Sequence, residues 1–237
     1  MKEFHFILQA KGGVGKSYFA YLQALRLENE PGALFIDIDN STRTTTRQLA
    51  FLKKQKRVAN ISLFNERDKQ DRQRLPAILV ELATEPFNKY YLDFGAPESE
   101  QFPAMLRQDF SAQLLQTVEQ HIQAKFIFHC IIAGNTAFKS CMEYLVELAN
   151  QLYNIFPIEV QLNEFSVTGQ SGESEKEQRA ILANLCKQHS LPLKSFGRID
   201  PTDAPGRNIV HYAQTGKGLS EFGFIEGLMM KQELEKM

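Results

Sequence analysis

A glycine-rich segment near the start of the chain separates an apolar run at residues 4–9 from a helical pattern at residues 17–28. It reads Lys11, Gly12, Gly13, Val14, Gly15, Lys16 and Ser17. Glycines accept positive φ angles, so a loop of this composition can wrap a compact anion and point several backbone N–H groups at it. The order of strand, glycine loop and helix therefore predicts a phosphate-binding loop at a helix N-terminus.

Lys16 and Ser17 close the loop with the two side chains that such motifs use. The lysine reaches the β- and γ-phosphates of a nucleotide, and the serine hydroxyl is a ligand for Mg²⁺. Ala10 stands where the general motif has its first glycine, so the loop is a variant of that motif. A plain strand-to-helix turn is the alternative, and the flanking patterns argue against it.

Lys11 adds a second lysine at the front of the loop. With it, the segment resembles the deviant Walker A motif of the ParA/MinD superfamily of ATPases. The resemblance implies ATP and Mg²⁺ as ligands, and a homodimer on ATP binding in which Lys11 touches the phosphates of the second subunit. Tyr18 stands where many members have a threonine that contacts the α-phosphate, and we assign it to the nucleotide site.

Five further apolar runs follow with helical patterns between them, at residues 33–38, 90–94, 126–132, 158–162 and 195–199. Such alternation predicts right-handed βαβ units and an α/β fold with a doubly wound, mainly parallel sheet. The resemblance assigns this sheet to the P-loop NTPase fold of the SIMIBI class. Since no linker-like composition divides the chain, residues 1–237 are expected to form a single ATPase domain.

Two aspartates, Asp37 and Asp39, end the run at residues 33–38 and lie on one face of a strand, because side chains alternate with period two. The pair resembles an Asp-x-Asp element of the superfamily. The resemblance implies that Asp39 orients the attacking water and that Asp37 supports Mg²⁺, although the sequence leaves open which of the two orients water. Capping of the next turn is the alternative for either residue.

Asp93 lies near the end of the run at residues 90–94 and has the form of a Walker B aspartate, which holds Mg²⁺ directly or through water. Gly95 follows where the superfamily has a mobile switch loop, and its N–H is expected to face the γ-phosphate. Together with Ser17 and Asp37, Asp93 completes the predicted metal site.

Two residues after later strands are candidates for binding the base. Asn163 follows the run at residues 158–162, and its amide can pair a donor and an acceptor with an adenine edge. An asparagine in an ordinary turn is the alternative. Pro201 follows the last run, where members of the superfamily close over the base.

The basic residues are unevenly distributed. Residues 41–74 contain ten basic and three acidic residues, a net charge of +7, which leaves −8 for the rest because the whole chain has −1. The basic residues are Arg43, Arg47, Lys53, Lys54, Lys56, Arg57, Arg67, Lys69, Arg72 and Arg74. This basic segment, 43–74, and its tract 53–57 above all, is predicted to bind DNA phosphates without sequence preference. A solvated helix face is the alternative.

A membrane partner is not expected. The chain has no run of 18 apolar residues and no secretory signal, which predicts a cytoplasmic protein. Residues 219–237 carry a net charge of −2, whereas a membrane-binding tail is basic. Four apolar residues there are interpreted as a helix face packing on the core: Phe222, Ile225, Leu228 and Met229.

Cysteines and histidines form no motif. Cys130, Cys141 and Cys186 are odd in number and lack CxxC spacing, so reduced core thiols are expected. The missing cysteine pairs disfavour the metal-cluster carriers of the superfamily. His129 lies inside an apolar run and is interpreted as a core residue.

With the resemblance, these features predict an ATPase that is slow until stimulated and that positions or segregates plasmid DNA in partition, stability or conjugative transfer. The first strand starts at once, so the DNA-reading arm of larger plasmid partition ATPases is expected to be missing. The alternative is an ATPase that positions or assembles a protein complex without binding DNA. A cargo or activator protein is an expected partner in both cases. A metabolic ATPase or small-molecule kinase is a third, weaker hypothesis.

Overall fold

A seven-stranded parallel sheet forms the centre of the protein in the computed structural model, which describes residues 1–39, 43–63, 74–108, 110–168 and 172–237. Its strands are β1 (Lys2–Leu8), β2 (Ala33–Ile38), β3 (Val58–Asn60), β4 (Lys89–Phe94), β5 (Ala124–Ile132), β6 (Ile158–Asn163) and β7 (Leu193–Phe196). The strand order is β3-β2-β4-β1-β5-β6-β7. Because β1 lies between β4 and β5, the loop that follows β1 opens at the centre of the sheet, where ligands bind in such folds.

Helices connect the strands. They are α1 (Lys16–Arg26), α2 (Thr44–Gln48), α3 (Arg74–Thr84), α4 (Ala96–Gln108), α5 (Ala112–His121), α6 (Phe138–Leu152), α7 (Glu164–Val167), α8 (Gly172–Gln188), α9 (Ala204–Thr215) and α10 (Phe224–Glu235). Short 3₁₀ helices span Ala50–Gln55, Asn135–Ala137 and Leu219–Glu221. The predicted α/β class with a parallel, doubly wound sheet is confirmed.

The strand bounds agree with the apolar runs at most positions. β2 covers the predicted residues, and β4, β5 and β6 contain theirs. β7 ends earlier than predicted because Gly197 takes a φ of 77°, which leaves the extended conformation. β3 was not predicted, since it is a three-residue edge strand in a polar stretch, held by pairing with β2.

Phenylalanines fill the core on the sheet. Phe6 on β1 has no exposed surface, and its ring stacks on Phe128 of β5 with centroids 4.6 Å apart. Phe126 meets Phe6 edge-on at 5.4 Å, and Phe102 of α4 lies 5.9 Å from Phe128. Strands buried on both faces are expected for a parallel sheet that carries helices on each side, and they account for the continuous apolar runs in the sequence.

His5 of β1 and His129 of β5 are buried side by side. His5 Nδ1 lies 2.9 Å from His129 Nε2, and His129 Nδ1 lies 3.3 Å from Gln161 Nε2. The amide nitrogen of Gln161 can only donate, so His129 accepts at Nδ1 and donates from Nε2 to His5. This arrangement needs neutral rings, and burial lowers the pKa of His5 from 6.5 to about 4 and that of His129 well below its usual value. The interpretation of His129 as a core residue is confirmed.

We expect the free energy of unfolding to fall as the pH is lowered from 6.5 to about 4. In that window unfolded His5 binds a proton and folded His5 does not, so acid favours the unfolded state, and the contribution present above pH 6.5 is lost. The shift corresponds to about 3 kcal/mol. Urea denaturation measures the free energy of unfolding at each pH in this window. In His5→Gln this free energy should change less steeply with pH, by about 1.4 kcal/mol per pH unit. Equal slopes in the two proteins would contradict this account.

Candidate functional site

The glycine loop lies between β1 and α1. Gly13 and Gly15 have φ angles of 76° and 103°, which side-chain-bearing residues rarely adopt. A Cβ on Gly15 would lie 2.7 Å from the Asn163 amide nitrogen, so the close approach of these two segments also requires glycine there. Gly15 precedes Lys16, the first residue of α1, and the N–H groups of the first helical turn face the loop.

Lys16 is buried in this loop, with 8% of its surface exposed. Its Nζ donates to the carbonyl of Gln9 at 2.8 Å. Burial lowers the pKa of Lys16, and the nearby carboxylates of Asp93 and Asp39 oppose that shift. A buried cation beside an open loop of N–H groups is suited to a bound anion.

Gln9 organises the start of the loop, and the sequence did not point to it. Its side-chain nitrogen donates to the carbonyl of Ile131 on β5 at 2.8 Å, and its side-chain oxygen accepts from the backbone N–H of Lys11 at 3.3 Å. The Lys11 side chain is exposed. The two lysines therefore differ, since one is held inside the loop and the other faces solvent.

Ser17 and Thr45 both donate to one carboxylate oxygen of Asp93. The Ser17 hydroxyl lies 2.7 Å from Asp93 Oδ2, and Thr45 of α2 donates to the same oxygen. The other oxygen, Oδ1, is buried and has no hydrogen-bond partner among the described residues. Burial raises the pKa of Asp93 to about 6, against the effect of both hydroxyls. Thr45 was missed by sequence reasoning, and three consecutive threonines after β2 were the available signal.

This donor set fits a magnesium ion. A serine hydroxyl and a carboxylate are hard oxygen ligands of the kind Mg²⁺ prefers. Asp93 Oδ1, which lacks a partner in the described part of the chain, is a buried acceptor that a cation would satisfy. Asp37 lies directly beside Asp93 in the register of β2 and β4.

Asp37 and Asp39 have different surroundings. Asp37 is fully buried, its Oδ2 accepts from the backbone N–H of Thr46 at 2.7 Å, and burial is the main cause that raises its pKa. Asp39 follows the end of β2 and lines the open cleft. Asp39 therefore lines the cleft, whereas one oxygen of Asp37 holds the backbone of α2 and the other is buried without a partner in the described residues.

An open cleft of about 410 Å³ lies over the loop. Its wall includes all six loop residues from Gly12 to Ser17, the side chain of Asp39, and Gly95 to Pro97 after β4. We expected the Gly95 N–H to face a phosphate, but it donates to the carbonyl of Ile38 at 3.0 Å. Glu98, which is 2% exposed, packs its carboxylate against Gly95 and was not predicted.

A second cleft of about 300 Å³ adjoins the first and contains both predicted base-binding residues, Asn163 and Pro201. Asn163 donates from Nδ2 to the carbonyl of Val14 at 2.9 Å. Its Oδ1 is buried without a hydrogen-bond partner in the described ranges. Tyr18 lines both clefts, and its ring lies 6.4 Å from that of Phe196.

Solved structures of several proteins share this architecture. A chain of the MinC:MinD cell division protein complex of Aquifex aeolicus matches with a TM-score of 0.58 and 10% identity, over 99% of this chain and 94% of that one. A plasmid partition protein of Borrelia burgdorferi matches with a TM-score of 0.51 and 14% identity, over 90% of this chain and 96% of that one. A protein of the same bacterium, described as a plasmid partition protein and bound to AMPPNP, matches with a TM-score of 0.50 and 14% identity, over 97% and 98%.

The chain has the ParA/MinD fold. The resemblance drawn from the glycine loop is thereby confirmed for the fold. No protein-family model and no curated protein sequence matches the chain.

The basic tract on this ParA/MinD fold differs from the prediction at Arg57. That side chain is 2% exposed, and its guanidinium donates to the carbonyls of Leu27, Glu28 and Ala33 at 2.7, 2.8 and 2.9 Å. The expectation that Arg57 contacts DNA phosphates is wrong, because it joins the end of α1 to the start of β2.

The other nine cations of the basic segment fall into two groups. Six are exposed: Arg43, Arg47, Lys53, Lys54, Lys56 and Arg74, the first residue of α3. Three lie outside the described residues, namely Arg67, Lys69 and Arg72, together with the acids Glu66, Asp68 and Asp71. The described part of the segment therefore presents a smaller basic surface than the sequence suggested.

Helix α10 of the ParA/MinD fold is turned differently from the prediction. Phe222 and Met229 pack partly on the core as expected, but Ile225 and Leu228 are 52% and 46% exposed. The buried face instead carries Glu233, which accepts from the backbone N–H of Gly197 at 2.6 Å. Met230 is also buried, so the face of α10 that packs on the core carries Met230 and Glu233, and Ile225 and Leu228 remain exposed.

The three cysteines are buried. Cys130, Cys141 and Cys186 are buried thiols, and the described residues contain no group of three His, Cys, Asp or Glu side chains that could hold a metal ion.

None of the helices in the described part of the chain has the length and apolar character needed to span a bilayer.

Proposed function

We propose that this protein is a Mg²⁺-dependent ATPase, that ATP converts it into a homodimer, and that the dimer positions or segregates plasmid DNA. The observation that carries the proposal is that Ser17 and Thr45 both donate to one oxygen of Asp93, while the other oxygen is buried without a hydrogen-bond partner in the described residues, beside a glycine loop that carries two lysines.

Each group has a role in hydrolysis that follows from its place. Lys16 would neutralise charge on the β- and γ-phosphates from inside the loop, and Asp39 would orient water from the cleft wall. Ser17 and Asp93 would hold Mg²⁺, with Asp37 behind them. When bound, this ion would offset negative charge on the phosphates. Asn163 and Pro201 would contact the base in the second cleft.

Lys11 supports the dimer. Its side chain is exposed and does not line the cleft of its own chain, whereas Lys16 is buried in the wall of that cleft. An exposed cation at the start of the loop is available to the phosphates of a second copy that faces it. Such a contact would make dimer formation depend on the number of phosphates bound.

Exposed cations support the DNA function. Arg43 and Arg47 on α2 and Lys53, Lys54 and Lys56 after it are exposed, and none has an ion-pair partner within the described residues. Cations of this kind bind the DNA backbone by releasing counterions. Because α2 also carries Thr45, the same short helix joins this surface to the nucleotide site.

The second candidate function, positioning of a protein complex without DNA, is favoured by α10. Phe224, Ile225 and Leu228 are 80%, 52% and 46% exposed. Apolar residues exposed together often mark a protein-binding surface. A cargo or activator protein could bind there in either function.

A salt-titrated binding assay with plasmid-length DNA, performed with ATP, ADP and no nucleotide, separates the two functions. We expect affinity only with ATP and Mg²⁺. Replacing Lys53, Lys54 and Lys56 together with alanine should reduce the slope of log affinity against log salt by about 2 to 3. Sedimentation in the same buffers should show a dimer in the presence of ATP and Mg²⁺, and a monomer with ADP or without nucleotide.

The matched control removes three exposed lysines from α6 and α8, namely Lys139, Lys176 and Lys187. This variant has the same net charge as the triple variant and should bind DNA like the unmodified protein. An ATP-bound dimer without salt-sensitive DNA affinity would exclude the DNA function and leave the protein-positioning function.

A further inference from the structure

The phosphate cleft and the base cleft meet at three residues. Gly15, Tyr18 and Gln48 line both, whereas the other wall residues belong to one cleft only. In any nucleotide the sugar links the base to the phosphates. A nucleotide that fills both clefts must therefore place its sugar beside these three residues.

Gln48 is the member of this group with a buried acceptor that lacks a partner in the described residues. Gly15 has no side chain, and the Tyr18 hydroxyl is not among the buried polar atoms that lack a partner there. The Gln48 side-chain oxygen Oε1 is buried and has no hydrogen-bond partner in the part of the chain that the structure describes. An amide oxygen accepts only, and a ribose hydroxyl can donate to it.

The backbone that carries Gln48 is held by the nucleotide site itself. Gln48 is the last residue of α2. Thr45 of this helix donates to Asp93, and the backbone N–H of Thr46 donates to Asp37. The position of Gln48 is therefore tied to the two aspartates beside the phosphate loop.

We propose that Gln48 Oε1 accepts a hydrogen bond from a ribose hydroxyl and makes the site select ribonucleotides over deoxyribonucleotides. The inference rests on the proposed binding of ATP. A deoxynucleotide that lacks the donating hydroxyl leaves the buried oxygen unpaired. The corresponding loss of affinity is about tenfold.

The test compares ATP, 2′-deoxy-ATP and 3′-deoxy-ATP by titration calorimetry on the full chain. We expect at least one deoxy analogue to bind about tenfold more weakly than ATP to the unmodified protein. Gln48→Leu should bind all three with the lower affinity. Gln48→Ala, which removes more of the side chain, should give the same loss of preference.

Gln214→Leu is the matched control because Gln214 lines the base cleft and not the phosphate cleft. Gln214→Leu should still bind ATP more tightly than the deoxy analogue, even if its affinity for every nucleotide changes. Without nucleotide, Gln48→Leu should melt no lower than the unmodified protein, since it removes a buried acceptor that lacks a partner among the described residues.

Two results would overturn the inference. One is equal affinity of the unmodified protein for all three nucleotides, and the other is a sugar preference that survives in Gln48→Leu. Either result, with ATP bound, leaves the proposed function intact. If ATP itself does not bind, the proposed function and this inference fail together.

Discussion

Lys16→Met is expected to weaken ATP binding about 100-fold, or about 2.7 kcal/mol. The methionine keeps the buried stem but removes the cation that faces the phosphate loop, while Asp93 and Asp39 remain as nearby negative charges. Titration calorimetry with ATP and Mg²⁺ measures the affinity, and phosphate release should fall at least as far. The circular dichroism spectrum without nucleotide should stay unchanged, because the Lys16 side chain makes a single hydrogen bond within the described residues, to the Gln9 carbonyl.

Lys11→Met is the matched control for that variant. Its side chain is exposed, so ATP affinity of the monomer should change little. Dimer formation with ATP, followed by sedimentation, should be lost. A Lys11→Met protein that still dimerises with ATP would remove the reason for assigning the two lysines to different subunits.

Arg57→Ala is expected to lower the free energy of unfolding by about 3 to 5 kcal/mol. The guanidinium donates to three carbonyls, of Leu27, Glu28 and Ala33, and each of them loses this charged donor in the variant, although Leu27 keeps the N–H of Glu30. Burial also means that the deletion leaves a space beside the sheet. Urea denaturation at neutral pH, with the midpoint and slope fitted together, measures the loss.

Lys54→Ala provides the comparison, since Lys54 is three residues away and exposed. Its effect on the free energy of unfolding should be within about 0.5 kcal/mol. If Arg57→Ala were as stable as Lys54→Ala, the assignment of Arg57 to the fold would be wrong. The result also decides which basic residues should be replaced in a variant that tests DNA binding. A substitution that unfolds the protein abolishes DNA binding whether or not the replaced residue contacts DNA.

Most of the sheet could be predicted from the sequence because its strands are buried on both faces. The runs at residues 33–38 and 158–162 are apolar without interruption, and each became a strand with those residues in it. β3 could not be found in this way, since three residues at an edge have no distinctive pattern and depend on β2 for pairing. β7 was displaced because the apolar run continued past Gly197, where the backbone turns.

In the candidate site, too, some residues could be predicted from local sequence patterns and others could not. Ser17, Asp39 and Asp93 were predicted from motifs whose spacing is local, and the structure brings them to one end of the sheet. Gln9 and Thr45 were missed because each acts through a partner far along the chain, Ile131 for the first and Asp93 for the second. The sequence held no spacing that links these pairs.

The sequence by itself determined the phosphate loop and the α/β class, because positive φ at glycines and the apolar runs of buried strands are local properties. Only the tertiary structure decided that Arg57 is internal while Lys53, Lys54 and Lys56 stay on the surface. The charge pattern is the same for all four. What separates them is a set of backbone carbonyls from residues 27 to 33, which meet Arg57 only after α1 and β2 have packed.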